Sequence, residues 1–219
     1  KLEKYPCKSY FTQTLAVAFE IDITKSFSNF RNKVEKALKN GKMQIKAPLK
    51  VEIKKAPKKL EIQIKNKELE LLNKKLILEG GEKNAIKRID YYFTNFLHKY
   101  YDTRSLVDGF DNSSKLSVFL ACGCVSPRTV YQKLKEHESK TKESKSSYWI
   151  FFELLWRDFF HLVMLQNGNK LFLKTGLLEN ESYDFKTQSK EMTNFFNANT
   201  GVDIIDAGIS ELKQTGWIS

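Results

Sequence analysis

Apolar residues recur along this chain in two rhythms, and the change between them divides it. In "NFRNKVEKAL", Asn29 to Leu38, the residues Phe30, Val34 and Leu38 stand four apart, the spacing of one helical face, and Asn40-Gly41 then supplies a C-terminal stop. The stretch "APLKVEIKKAPKKLEIQIK" alternates instead. Val51 and Ile53, then Leu60, Ile62 and Ile64, fall at period two, interrupted by Pro48 and Pro57. Short edge strands and an extended linker both fit this alternation; the brevity of each run and its flanking lysines favour the linker.

From Gly80-Gly81 onward the rhythm is helical. Ala85, Ile86, Ile89, Tyr92, Phe93, Phe96 and Leu97 recur at three and four, one face of an amphipathic helix, and the loop "DTRSLVDGFDN" follows. In "CVSPRTVYQKLKEHE", Ser126 is a natural N-cap, Pro127 occupies the first helical position, and Val130 and Leu134 continue the apolar stripe. The Ser- and Lys-rich "ESKTKESKSS" reads as a polar connector. In "TGVDIIDAGISELKQTGW", Ile204, Ile205, Ile209 and Leu212 predict a last amphipathic helix. The fold class predicted is mainly α, an irregular Lys-rich segment followed by helices.

One helix breaks the pattern. "SSYWIFFELLWRDFFHLVMLQ", Ser146 to Gln166, is almost wholly apolar and rich in rings, yet Glu153, Arg157 and Asp158 stand in its middle. On a helix Trp149, Glu153, Trp156 and Phe160 occupy neighbouring turns of one side, with Arg157 four residues after Glu153. Two readings fit. Glu153 and Arg157 form an intrahelical pair at the edge of a buried helix, the rings being ordinary core; or carboxylate and guanidinium face a polar-lined cavity that accepts a planar heterocycle. Either way each charge needs a partner, because burial without one costs on the order of several kcal/mol.

A second cluster lies in "NSSKLSVFLACGCVSPR". Ser113, Ser114 and Ser117 place three hydroxyls within five residues, beside Lys115 and at the entry to a helix. Hydroxyls and free amides at such a position suit an anion, although serines before helices also serve as plain caps. Neither G-x-G-x-x-G nor G-x-x-x-x-G-K-[ST] occurs, which excludes the common nucleotide-binding loops.

Composition sets the outer limits. A chain of 219 residues, 41% hydrophobic, is long enough for one sizeable core with an appendage. A formal charge of +11 favours an acidic partner, of which nucleic acid is the commonest, but the excess lysines between Arg31 and Lys75 also read as a solvated linker. Cys7, Cys122 and Cys124 make no metal-ligand pattern, so reduced thiols in an intracellular protein are expected. Neither a signal-type apolar stretch after Lys1 nor an uncharged apolar run of about eighteen residues is present, so no leader and no membrane partner are expected.

The segments "GGEKNAIKRIDYYF", "YYDTR", "SSKLSVFLACGCVSPRTVYQKLKEHE", "SYWIFFELLWRDFFHLVMLQNGNKLF" and "TGVDIIDAGISELKQTGW", taken in this order, resemble the DNA photolyase and cryptochrome family, above all its DASH-type cryptochromes. The likeness covers Gly80 to Trp217, and "SNFRNKVEK" is similar to the segment before the family's helical flavin domain. The resemblance implies that residues 80–219 are the N-terminal half of an FAD-binding helical domain, and 1–79 an interdomain linker with a remnant of an antenna domain. It implies that Tyr100 (or Tyr101), Ser113, Ser114, Lys115, Leu116 and Ser117 hold the FAD phosphates and ribityl chain. Glu153 and Trp156 would face a flipped pyrimidine dimer, Glu153 and Arg157 would border the flavin, and Trp217 would pack near it.

The implied activity is blue-light-driven repair of cyclobutane pyrimidine dimers in single-stranded or lesion-containing DNA, the lesion leaving the stack to reach the flavin. Photosensing without repair, or a nucleic-acid-binding remnant, are the alternatives. A methenyltetrahydrofolate-like antenna is expected only in a full-length protein, and a second polypeptide is one way to supply the rest of the flavin domain. The chain departs from the family pattern at Val118 and Phe119, where Pro and Trp are usual, and at Asp203, Gly208, Ile209 and Ser210.

Overall fold

Phe27, Phe30 and Val34 share one face of helix α1 (Phe27–Lys39), and all three are buried. That burial, worth about 1.5–3 kcal/mol for each large side chain, makes the helix part of a core. The computed structural model describes residues 14–15, 26–42, 44–46, 78–178 and 189–218. The alternating run over residues 48–64 and Cys7 lie outside them.

The described residues are helical, with no strand among them. Helix α2 (Glu82–Asn95) buries Ala85, Ile89, Tyr92 and Phe93, as its spacing predicts, and it also buries Arg88. After a 3₁₀ turn, Leu97–Lys99, come α3 (Tyr100–Thr103) and a second such turn, Phe110–Asn112. The short α4 (Ser117–Ala121) leads into α5 (Pro127–Thr141), where the Ser126 hydroxyl accepts the Arg128 N–H at 3.2 Å, Pro127 holds the first position, and Val130 and Leu134 are fully buried. The capping expectation for this helix is met.

The aromatic segment is α6 (Lys145–Asn167). It opens on a capping box: the Ser144 hydroxyl accepts the Ser147 N–H, and the Ser147 hydroxyl accepts the Ser144 N–H. The polar connector read over residues 138–147 is therefore mostly helix, with Lys142–Ser144 alone between α5 and α6. Its serines and lysines cap and solvate helix ends, which composition by itself does not distinguish from a loop.

Two compact units result, residues 1–49 with 80–181 and residues 50–79 with 182–219. In the first, α6 is the central rod: α1, α3 and α5 pack against it, and α2 packs against α5. Even this most apolar helix is not long and apolar enough to cross a membrane, nor is any other among the described residues. In the second unit α7 (Lys190–Phe196) packs on α8 (Asp203–Thr215). The Asp206 carboxylate accepts hydrogen bonds from the Thr200 amide and hydroxyl and from the Gly201 amide, which hold it below the ordinary carboxylate range. The predicted helix forms, but Ile204, Ile205 and Leu212 on it remain exposed.

Candidate functional site

The serine bend is held by a residue that spacing conceals. Arg88 sits in register with Ala85, Ile89 and Tyr92 on the buried face of α2 and is only 7% exposed. Its Nη1 donates to Asp111 Oδ1 at 2.7 Å, its Nε to the Ser114 carbonyl at 3.0 Å and its Nη2 to the Ser113 carbonyl at 3.3 Å. Three donors in a rigid fork thus fix three points of one loop, a task for which a lysine lacks the geometry. The Thr103 hydroxyl adds a bond to the Asn112 carbonyl.

With its carbonyls engaged from behind, the bend keeps its side-chain hydroxyls unengaged: among the described residues no hydrogen bond involves the hydroxyl of Ser113, Ser114 or Ser117. Lys115 and Leu116 between them are each 4% exposed, and Lys115 adopts φ +58°, a left-handed conformation rare for residues other than glycine. Its ammonium lies 5.5 Å from the centre of the Phe110 ring. Since α4 has only five residues, amides and hydroxyls rather than a long macrodipole are what Ser117 and its neighbours offer an anion.

The three charges within α6 are answered from three places. Glu153 Oε2 accepts the Tyr100 hydroxyl at 2.5 Å, Arg157 Nη2 donates to the Leu120 carbonyl at 3.3 Å, and Asp158 Oδ2 accepts the Leu15 N–H at 2.9 Å. The ion pairs among the described residues do not include Glu153 with Arg157, so the i,i+4 reading is replaced by longer-range partners. Burial raises the Glu153 carboxyl above the usual carboxylate range, while the Tyr100 bond, the Arg104 charge and the Trp149 indole draw it back. Burial, then the Glu153 charge, push the Tyr100 hydroxyl well above its ordinary value.

The two clusters meet through buried rings. The Arg88 guanidinium stands 5.3 Å from the Tyr92 ring centre, Tyr92 packs edge-on to Tyr100 at 6.0 Å, and Tyr100 reaches Glu153. Tyr92 is fully buried, and its hydroxyl has no hydrogen-bond partner among the described residues. Burial first pushes its hydroxyl well above the ordinary tyrosine value, so that it stays protonated; the Arg88 charge opposes this, and Asp111 on one side and Glu153 on the other add to it. A second link is direct: Arg157 on α6 holds the carbonyl of Leu120 on α4, the helix that Ser117 opens.

Trp156 is placed differently from Glu153. Its ring stacks on Phe27 of α1 with centres 3.6 Å apart and planes 12° apart, and on Phe160 at 5.4 Å. Trp217 belongs to the second unit, where its backbone N–H donates to the Thr215 hydroxyl at 3.0 Å. Sequence reasoning missed Arg88 and Arg104, and it read Tyr92 and Trp149 only as members of an apolar and an aromatic face. For Arg88 a signal existed, a lone cation in step with an apolar stripe; Arg104, inside a polar loop, carried none.

Residues 149–219 match the family described as the FAD binding domain of DNA photolyase. A cryptochrome DASH of Idiomarina loihiensis is 35% identical over 205 residues, 92% of this chain and 44% of that protein. One from Synechocystis is 40% identical over 146 residues, 66% of this chain and 30% of that protein. A crystal structure of a Synechocystis cryptochrome matches with a TM-score of 0.73 at 31% identity, covering 95% of this chain and 45% of that one. The chain thus spans less than half the length of each. The helical architecture and these matches define a photolyase-type FAD-binding domain, and the chain belongs to the DNA photolyase and cryptochrome family. Within that family its likeness is to the DASH-type cryptochromes.

Proposed function

We propose that this chain takes part in FAD-dependent, blue-light-driven repair of cyclobutane pyrimidine dimers in single-stranded DNA. The observation that carries the reading is the linkage of an anion-suited bend, with three hydroxyls unengaged among the described residues and a buried lysine, to a part-buried carboxylate through Arg88, Tyr92 and Tyr100. Those donors fit a pyrophosphate, since hydroxyls and an ammonium supply hydrogen bonds and positive charge without a competing carboxylate side chain between Ser113 and Ser117.

FAD held there in its reduced form would lend a light-excited electron to the dimer and take it back once both bonds of the cyclobutane ring have split, so that the repair is redox-neutral. In this reading Ser113, Ser114, Lys115, Leu116 and Ser117 hold the phosphates and ribityl chain, and Arg157 keeps the serine helix against α6. Glu153 hydrogen-bonds the extruded pyrimidine, and Trp156 packs against it with the ring surface that Phe27 and Phe160 leave open. In this reading residues 80–219 are the N-terminal half of the flavin domain and 1–79 are an interdomain linker with a remnant of the antenna domain, whose methenyltetrahydrofolate-like pigment is expected only in a full-length protein. The net charge of +11 suits a DNA backbone.

The close stacking of Phe27 on Trp156 supports a second reading, blue-light sensing without repair, because a ring already covered offers a lesion less surface. One experiment separates them. The FAD-loaded protein is illuminated with dimer-containing single-stranded DNA, and recovery of pyrimidine ultraviolet absorbance is followed alongside flavin photoreduction. Recovery supports repair; photoreduction with no recovery selects the sensor.

A further inference from the structure

Glu153 takes its partners from another part of the chain, although Arg157 lies one turn away on its own helix. The Tyr100 hydroxyl donates to Oε2 at 2.5 Å, and the charge of Arg104 acts on the same carboxylate. Both belong to α3 and the residue that ends it. That segment is fixed from several sides. The Tyr101 amide donates to the Ser146 hydroxyl at 3.0 Å, the Ser146 hydroxyl donates to the His98 carbonyl at 3.2 Å, and the Arg104 guanidinium lies over the Trp149 ring at 4.4 Å. Buried Arg104 Nε makes no hydrogen bond among the described residues, so its place is set by stacking and by charge.

We infer that Tyr100 and Arg104 are positioning residues for Glu153, holding its carboxyl where it can accept a hydrogen bond from a nucleobase. The inference rests on the proposed reading of Glu153 as the base-facing carboxylate. It assigns Tyr100 to that carboxylate rather than to the cofactor phosphates. An ionised carboxylate only accepts, whereas a protonated one also donates, so the groups around Glu153 select which base edge it reads. Burial favours the neutral acid; Tyr100 and Arg104 oppose it from α3, and Trp149 opposes it from α6. The remaining ionisable neighbours are Tyr92 on α2, whose own ionisation senses Glu153, and Arg157, which is engaged with the Leu120 carbonyl.

The test is an infrared pH titration of the FAD-loaded protein without DNA, with Glu153→Gln identifying the carboxylic acid band. Tyr100→Phe keeps the ring and removes the donor; Arg104→Gln removes the charge. Each is expected to carry the loss of the band about one pH unit upward, a roughly tenfold change in the ratio of ionised to neutral acid, and Arg104→Lys is expected to restore most of it. A band that ionises at the same pH in both Tyr100→Phe and Arg104→Gln overturns the inference. Affinity for a dimer-containing oligonucleotide tests the underlying reading separately. Weaker binding by Glu153→Gln supports it, and wild-type binding by that variant, with the band still moved, overturns the base-facing role while the pairing stands.

Discussion

Asp158, in the middle of the most apolar helix, accepts the backbone N–H of Leu15 at 2.9 Å across 143 positions of sequence. Arg128 on α5 donates to the adjoining Thr14 carbonyl at 3.1 Å, so residues 14–15 are clamped by a carboxylate and a guanidinium from two helices. Burial pushes Asp158 up to about 7, against the pull of the Leu15 N–H and of the Arg157 and Arg128 charges.

That shift sets a pH dependence of stability. The folded state holds the Asp158 proton more tightly than the unfolded state, whose carboxyl titrates near 3.8. Its contribution is therefore complete below about pH 4 and lost as pH rises to about 7, a change of roughly 4 kcal/mol at 1.36 kcal/mol per unit. Denaturant midpoints across this window should decline for the wild type and flatten for Asp158→Asn. Asp158→Leu should lose a further 1–3 kcal/mol or so, because the Leu15 N–H is left without its acceptor.

The serine bend depends on Arg88. Its replacement by Met preserves the stem but strips three hydrogen bonds and leaves Asp111, 28% exposed, without its cation. A loss of about 2–4 kcal/mol in urea unfolding is expected, below the full value for a buried pair because Asp111 retains water. Arg88→Lys should recover less than half of it, since one ammonium cannot span the three acceptors. Equal stability of Arg88→Met and wild type would remove Arg88 from the account.

Phe27 carries a different consequence. It is 7% exposed and stacks on Trp156 while meeting Phe152 and Phe159 edge-on. Phe27→Ala should cost about 3–4 kcal/mol, and Trp156 emission should shift to longer wavelength as water reaches the ring. If instead emission is unchanged, Phe27 does not shield the indole as the geometry states.

How much of this was readable beforehand follows from where each interaction lies. The helices were legible because their apolar stripes are local: Ala85, Ile89, Tyr92 and Phe93 announce α2, and Ser126-Pro127 announces α5. The polar connector was not, since Ser144 and Ser147 become a capping box only when their amides are in place. At Glu153 the i,i+4 spacing suggested Arg157, but a partner 53 positions away took the carboxylate. The hydroxyls of the serine cluster could be counted in the sequence; the fork of Arg88 behind them and the left-handed turn at Lys115 arise from tertiary packing.

The central claim is that the Arg88-braced bend receives the phosphates of FAD. Titration of FAD against the protein, read by flavin fluorescence, addresses it most directly, comparing wild type with Lys115→Met and with the double variant Ser114→Ala, Ser117→Ala, each first shown to be folded by circular dichroism. Hydrogen bonds to a charged group contribute about 1.5–3 kcal/mol each, so affinity should fall at least about tenfold in both variants. Wild-type affinity in both would contradict the account.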